Sequence, residues 1–186
     1  MTDPWLSVLT TPGRLEYLRG TLAAIAAAGG AGFAGRKIVF VDGDTDLVRN
    51  HIGETWELHS LTGETPPRGS RQAIWSILHR AAKSATSELL YFEDDIRLSR
   101  NAVDAMLLTA VPKGVGFLSF FQSNPGMPST AGIHVYKGAS WWGNTALKIP
   151  ARSLAKFSNG DGFATERDRY AAHALDPAGR NCGDGW

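Results

Sequence analysis

Apolar runs and helical spacings alternate along the first 120 residues of the chain. Short apolar runs at 5–9, 37–41 and 88–92 predict buried β-strands. Between these runs, apolar residues recur every three or four positions over 15–25 and 74–81, which predicts two helices with one buried face each. This alternation predicts an α/β fold with an open, mostly parallel sheet flanked by helices.

Weaker patterns predict the remaining elements. The predicted strands lie at 56–61, 115–121, 133–136 and 145–149, and the predicted helices at 101–111, 151–157 and 163–174. Two segments rich in glycine and proline, 63–69 and 122–131, are predicted to be loops. The tail at 176–186 shows no periodicity. A length of 186 residues is typical of one domain with a short tail.

Composition and charge narrow the classes of function. Hydrophobic residues make up 43% of the chain and charged residues 20%, which excludes a disordered chain. A net charge of +1 gives no electrostatic case for a nucleic-acid or anionic-membrane partner. The one cysteine, Cys182, excludes a disulfide framework and a cysteine-rich zinc site. Because residues 1–14 lack a signal-peptide pattern and no membrane-spanning segment is predicted, we expect a cytoplasmic protein.

Polar residues follow three of the predicted strands. They are Thr10-Thr11, Asp42-Gly43-Asp44 and Glu93-Asp94-Asp95. The carboxyl ends of parallel strands share one edge of a sheet, and ligands of open α/β sheets bind there. Three adjacent carboxylates repel each other, and Mg²⁺ or Mn²⁺ would offset that repulsion through oxygen ligands. The alternative is a solvated acidic turn whose carboxylates cap the next segment.

The order of these motifs resembles a known family. The sequence runs Thr-Thr-Pro-Gly-Arg at 10–14, Val-Asp-Gly-Asp at 41–44 and Leu-Tyr-Phe-Glu-Asp-Asp-Ile at 90–96. It resembles the nucleotide-sugar half of GT-A glycosyltransferases. The Glu-Asp-Asp form is most similar to the N-acetylglucosaminyltransferases that branch N-glycans and their bacterial relatives. The resemblance extends over residues 5–175 and is best over the first 100.

The resemblance implies a fold and a reaction. The fold would be one GT-A-like (Rossmann-like) domain with a nucleotide-sugar half at 1–100 and an acceptor half at 101–175. The enzyme would be a hexosyl- or N-acetylhexosaminyl-transferase that depends on Mn²⁺ or Mg²⁺. It would move a sugar from a nucleotide-diphosphate sugar, with UDP expected, to a hydroxyl of a saccharide or other acceptor, with inversion.

Donor-binding roles follow from the resemblance. Asp95 would ligate the metal, with His173 as a second ligand, while Glu93 and Asp94 would lie near the ribose and the metal's waters. The resemblance also places four residues around the nucleotide: Thr10 and Arg14 in the pocket, Asp42 beside the uracil N–H, and Arg71 within reach of a phosphate. Taken alone, the same residues are consistent with a helix cap, a turn and surface arginines. Arg80, which lies farther along the same predicted helix, is expected to be structural.

Acceptor-side roles fall in the second half of the chain. A base must deprotonate the acceptor hydroxyl in an inverting transfer, and the resemblance points to Asp161, with Glu166 and Asp168 as substitutes. Sugars stack on aromatic rings, which makes the loop of Trp141, Trp142, Gly143 and Asn144 a candidate sugar site. Core packing is the alternative role for each tryptophan.

Two other functions compete with this hypothesis. A nucleotidyltransferase would need a glycine-rich, basic loop, and residues 10–14 supply one glycine and one arginine. A non-catalytic nucleotide- or sugar-binding relic of a transferase is favoured by the short chain and the poorly matching C-terminus. Metal-dependent nucleotide binding without turnover would identify the relic.

Overall fold

The described residues of the chain form a six-stranded sheet flanked by helices. A computed structural model describes residues 3–62, 70–120 and 146–157, with the backbone alone at 70–72. The strands are β1 (Trp5–Thr10), β2 (Arg36–Val41), β3 (Glu57–Ser60), β4 (Glu88–Glu93), β5 (Leu118–Ser119) and β6 (Ala146–Pro150). The helices are α1 (Leu15–Ala27), α2 (Asp46–Arg49), α3 (Ser70–Lys83), α4 (Ala102–Leu108) and α5 (Ala151–Leu154).

The strand order of the sheet is β3-β2-β1-β4-β6-β5. The first four strands in the chain run parallel to one another, while β6 is antiparallel to both β4 and β5. This arrangement confirms the predicted α/β class with an open, mostly parallel sheet. None of the helices in the described ranges is long and apolar enough to cross a membrane.

Helices cover both faces of the sheet because the side chains of each strand alternate between them. In β1, Trp5 and Leu9 pack on the face that carries α3 and α5, whereas Leu6 and Val8 pack on the face that carries α1 and α4. Ser7, buried between these residues, donates from Oγ to the carbonyl of Leu90 in β4. The apolar run at 5–9 therefore marks a central strand buried on both sides.

The strong sequence patterns correspond to observed elements, and the weaker ones differ in length. Helix α4 ends at Leu108 rather than at 111 because Thr109 is extended (ψ 114°) and Pro112 follows. Strand β5 holds two residues instead of the seven predicted over 115–121. Val115 closes a turn instead, since its N–H donates to the carbonyl of Pro112, and its own carbonyl accepts a hydrogen bond from Arg152. The short helix α2 was not predicted, and the strand at 133–136 and the helix at 163–174 lie outside the described residues.

Lys148 is a buried lysine inside β6. Its Nζ donates to the carbonyls of Met106 and Leu107, each at 2.8 Å, and lies 3.1 Å from Oε2 of Glu88. The two carbonyls belong to the last turn of α4, where helix carbonyls have no partner within the helix. Lys148 therefore caps α4 and fixes that helix to β4 and β6.

We expect Lys148→Met to destabilise the fold by roughly 2–4 kcal/mol, since two carbonyls and the Glu88 carboxylate lose their cationic partner. Urea unfolding followed by circular dichroism measures the change. Lys83→Met is the matched control, because Lys83 is exposed at the end of α3. Equal stability losses in the two variants would contradict the role of Lys148.

Candidate functional site

The candidate site lies where the connections of the sheet change direction. From the central strand β1, the chain crosses by α1 to β2 and continues to β3 on one side. It then returns by α3, on the opposite face, to β4 on the other side of β1. The loops that leave β1 and β4 thus diverge at their carboxyl ends, where Leu9 pairs with Glu93. Such a crevice is the usual ligand site of an open α/β sheet.

Asp94 is a buried carboxylate with two partners from the β1 end. The residue is 3% exposed. Thr10 Oγ1 donates to Oδ2 of Asp94 at 2.6 Å, and Arg14 Nε donates to Oδ1 at 2.8 Å. A buried charge is tolerated when it is paired and hydrogen-bonded. Asp94 therefore joins the ends of β1 and β4 through contacts across about 80 residues of sequence.

Arg14 bridges the acidic motif. Its Nη2 donates to Oδ2 of Asp95 at 2.7 Å, and the guanidinium carbon lies 4.8 Å from the centre of the Tyr17 ring. Burial alone would lower the pKa of Arg14, but the hydrogen bonds that Arg14 donates to Asp94 and Asp95 outweigh it and raise that pKa. The guanidinium therefore stays charged and offsets part of the repulsion among the carboxylates. From the sequence, a divalent cation was expected to offset that repulsion. The Asp95 side chain is 45% exposed and faces solvent at this edge.

Glu93 differs from the two aspartates that follow it. Burial first, and then the charges of Asp95 and Asp94, raise its pKa to about 7, although Arg14 acts in the opposite direction. No hydrogen bond to the Glu93 carboxylate is recorded within the described part of the chain. Tyr91 precedes it on the same face of β4, and burial together with the three carboxylates raises the pKa of its phenol. The motif thus contains three carboxylates in three environments.

Asp42 follows β2 at the same edge. Its backbone N–H donates to the Thr10 carbonyl at 2.9 Å, which extends the ladder between β1 and β2. The Asp42 side chain is half-buried, and the structure records no hydrogen bond or ion pair for it among the described residues. The Asp44 side chain instead bonds within its own turn, where its Oδ1 accepts a hydrogen bond from the N–H of Asp46 at the start of α2. Asp42 is therefore the carboxylate of this turn with free acceptor capacity.

Gly43 packs the β2 loop against the β1 loop. Its φ is +143°, and a Cβ at this position would lie 2.8 Å from Cδ of Pro12. Its carbonyl accepts Oγ1 of Thr62 at 2.9 Å, from the segment after β3. Glycine is required here because both the backbone angle and the close approach exclude a side chain. Three consecutive loops of the edge are held together in this way.

The structure brings together most of the donor-side residues expected from the sequence. Thr10, Arg14 and the three carboxylates at 93–95 form one cluster, and Asp42 lies at the end of the next strand. Two contacts were not expected: Thr10 and Arg14 bind the acidic motif directly, and Tyr17 supports Arg14. The helical spacing of Tyr17, one turn after Arg14, was the available signal.

The structure describes Arg80 fully, Arg71 by its backbone alone, and none of the predicted acceptor-side residues. Arg71 lies in the first turn of α3, but its side chain lies outside the described part of the structure. Arg80, expected to be structural, donates from Nη2 to the Ser60 carbonyl at 2.7 Å. The acceptor-side and second metal-ligand candidates all lie outside the described residues, and their roles stay predictions: Trp141, Trp142, Gly143, Asn144, Asp161, Glu166, Asp168 and His173.

The donor set at the edge suits a hard cation at one carboxylate. No group of three or more His, Cys, Asp or Glu side chains converges for metal binding within residues 3–62, 70–120 and 146–157. Both oxygens of Asp94 are occupied by Thr10 and Arg14. Asp95 is the exposed carboxylate, and an exposed carboxylate oxygen is a ligand type that Mg²⁺ and Mn²⁺ accept. Asp95 is therefore the residue of the motif that fits a metal.

Comparisons with known proteins give a distant structural likeness. The mannosyltransferase Ktr4p of S. cerevisiae aligns with 57% of this chain at 9% identity and a TM-score of 0.35 in each of two structures, one of them a complex with GDP. Core-mannan synthase A of Aspergillus fumigatus, in its Mn/GDP form, aligns with 57% of the chain at 12% identity and a TM-score of 0.36. The aligned part covers 36%, 38% and 40% of those three chains, respectively. No protein-family model and no curated protein matches the sequence.

We expect Thr10→Val to destabilise the protein by about 2 kcal/mol, because a buried carboxylate oxygen of Asp94 loses its hydrogen-bond donor while the side-chain shape is kept. Thr11→Val is the control, since Thr11 has no recorded side-chain hydrogen bond within the described residues. Urea unfolding of both variants checks this expectation. A Thr10→Val protein as stable as Thr11→Val would show that Thr10 does not support Asp94.

Proposed function

We propose that this chain is a metal-dependent glycosyltransferase whose described residues form the donor-binding side of the site. It would move a sugar from a nucleotide-diphosphate sugar to an acceptor hydroxyl, with inversion. The observation that carries the proposal is the Thr10–Arg14–Asp94–Asp95 network at the point where the connections of the sheet change direction. This network would present one exposed carboxylate and one permanent cation at the position where open α/β sheets usually bind ligands.

With a divalent cation bound at Asp95, the charges of the crevice would suit a diphosphate. A divalent cation held at Asp95 would neutralise the negative charge that develops on the diphosphate as the bond to the sugar breaks. Arg14 adds a planar cation whose donors match phosphate oxygens. Asp94 has both oxygens engaged, so its part is to hold Arg14 and the end of β1 in place.

Asp42 is the candidate contact for the base of the nucleotide, which is expected to be uracil. Its half-buried carboxylate has no recorded partner among the described residues and lies at the end of β2, next to the Thr10 loop. A carboxylate only accepts hydrogen bonds, so it selects a base that presents an N–H group. Uracil, guanine and cytosine all present such a group, so the expectation of UDP rests on the resemblance to GT-A glycosyltransferases.

The acceptor half of the proposal rests on the sequence. Asp161 would take the proton of the acceptor hydroxyl, and His173 would serve as a second metal ligand. The loop of Trp141, Trp142, Gly143 and Asn144 would stack on a sugar. These assignments are inferred from the resemblance to GT-A glycosyltransferases.

A second candidate function is non-catalytic nucleotide binding. It is favoured by the internal pairing of the motif, because Arg14 already binds both Asp94 and Asp95. A module of this kind would bind a nucleotide diphosphate and transfer nothing. Binding and turnover therefore need separate measurements.

We expect calorimetry to detect binding of UDP, in comparison with GDP and CDP, only when Mn²⁺ is present. Asp95→Asn should weaken this metal-dependent binding at least about tenfold, since a metal ligand is lost. Asp46→Asn is the control, because Asp46 is an exposed carboxylate in α2 at the same end of the sheet. The metal assignment fails if Asp95→Asn binds nucleotide with unchanged metal dependence.

We expect Asp161→Asn to keep nucleotide binding and to lower sugar transfer by about 10²–10⁴-fold, the usual effect of losing a general base. Release of UDP from UDP-sugars, with a panel of saccharide acceptors, measures the rate. Asp168→Asn is the comparison variant. A fully active Asp161→Asn protein would place the base elsewhere, whereas binding without turnover in the unmodified chain would favour the non-catalytic function.

A further inference from the structure

We propose that Arg14 competes with the divalent cation for Asp95, so that Arg14 controls when the cation binds. The inference rests on the proposed function and goes beyond it. It predicts that the cation alone binds weakly, and that nucleotide and cation bind cooperatively through Arg14.

The competition follows from the contacts of Asp95. Arg14 Nη2 lies 2.7 Å from Asp95 Oδ2, the short distance of a charge-assisted hydrogen bond. Asp95 is also the exposed carboxylate of the motif, and therefore the one that a cation from solvent reaches. A guanidinium and a dication repel each other, so close binding of both at one carboxylate is unfavourable.

Arg14 can release Asp95 without leaving the site. Its Nε is anchored on the buried Asp94, and its guanidinium lies over the ring of Tyr17. The contact with Asp95 is made by Nη2, on the exposed side of the group. Release would free the Nη2 donors while the other two contacts persist, and these donors suit a phosphate oxygen.

The released donors make the two binding events interdependent. A diphosphate that accepts hydrogen bonds from Arg14 frees Asp95 for the cation, and a cation at Asp95 frees Arg14 for the diphosphate. Each ligand thus raises the affinity of the other by the same factor. The coupling resides in Arg14 and is additional to any direct contact between cation and phosphate.

The test is a titration of the full chain with Mn²⁺ alone, in which electron paramagnetic resonance reports the free ion. We expect Arg14→Gln to bind Mn²⁺ about three- to tenfold more tightly than the unmodified chain, because a competing cation is removed. Arg14→Lys should fall between them, since an ammonium cannot bridge both aspartates. Arg19→Gln, an exposed arginine of α1, is the control and should show no change.

The double variant Asp95→Asn, Arg14→Gln should lose the affinity for Mn²⁺ that Arg14→Gln gains. This loss would locate the Mn²⁺ at Asp95. With UDP present, the effect of Arg14→Gln should reverse, and nucleotide should bind more weakly than to the unmodified chain. Mn²⁺ affinity that is unchanged or lower in Arg14→Gln overturns the competition.

The proposal remains testable if Arg14→Gln fails to fold by circular dichroism. Tyr17→Leu keeps Arg14 and removes the supporting ring, and should raise the affinity for Mn²⁺ about twofold. If the unmodified chain binds UDP with Mn²⁺ while no Arg14 or Tyr17 variant changes the affinity for Mn²⁺ alone, the competition is wrong and the proposed function stands. If no variant binds either ligand, both fail.

Discussion

The buried carboxylate of Asp94 is the constraint on which the candidate site depends. A carboxylate in a residue that is 3% exposed requires partners for its charge, and these partners come from the end of β1 and the segment that follows it. Thr10 lies at the end of that strand, and Arg14 at the start of α1. The need to pair one charge therefore fixes the β1 loop, the start of α1 and the acidic motif relative to each other.

That constraint gives three adjacent carboxylates different properties. Asp94 is buried and has both oxygens paired, Asp95 is exposed and shares Arg14, and Glu93 is half-buried with a pKa raised to about 7. Functional sites typically place neighbouring acids in environments that shift their pKa values apart. Repetition of acids in the sequence therefore does not imply repetition of roles. Asp94 holds the loops of the site together, and Asp95 is exposed to solvent while it binds Arg14.

The sequence predicted the parts of this site that depend on local pattern. Apolar runs identified β1, β2 and β4, and parallel strands end at one edge, so the convergence of Thr10, Asp42 and the motif at 93–95 followed directly. The sequence did not predict that Arg14 binds Asp94 and Asp95, because an arginine can reach several acids and tertiary packing decides which of them it binds. Burial likewise decides the pKa of Glu93, and no sequence signal marked Lys148 as the cap of α4.

Under the proposed function, the charge balance of the edge would make nucleotide and cation bind together. Asp94 and Asp95 bring two negative charges, and Arg14 returns one positive charge. The crevice is therefore negative before Glu93 is counted, and it repels a free diphosphate. A free dication is attracted, but Arg14 already occupies the exposed carboxylate. Neither ligand alone would therefore find a favourable site. When both bind, the ion pair between Arg14 and Asp95 would be replaced by two, one between Arg14 and phosphate and one between the cation and Asp95. This replacement would favour the nucleotide–metal complex over either component.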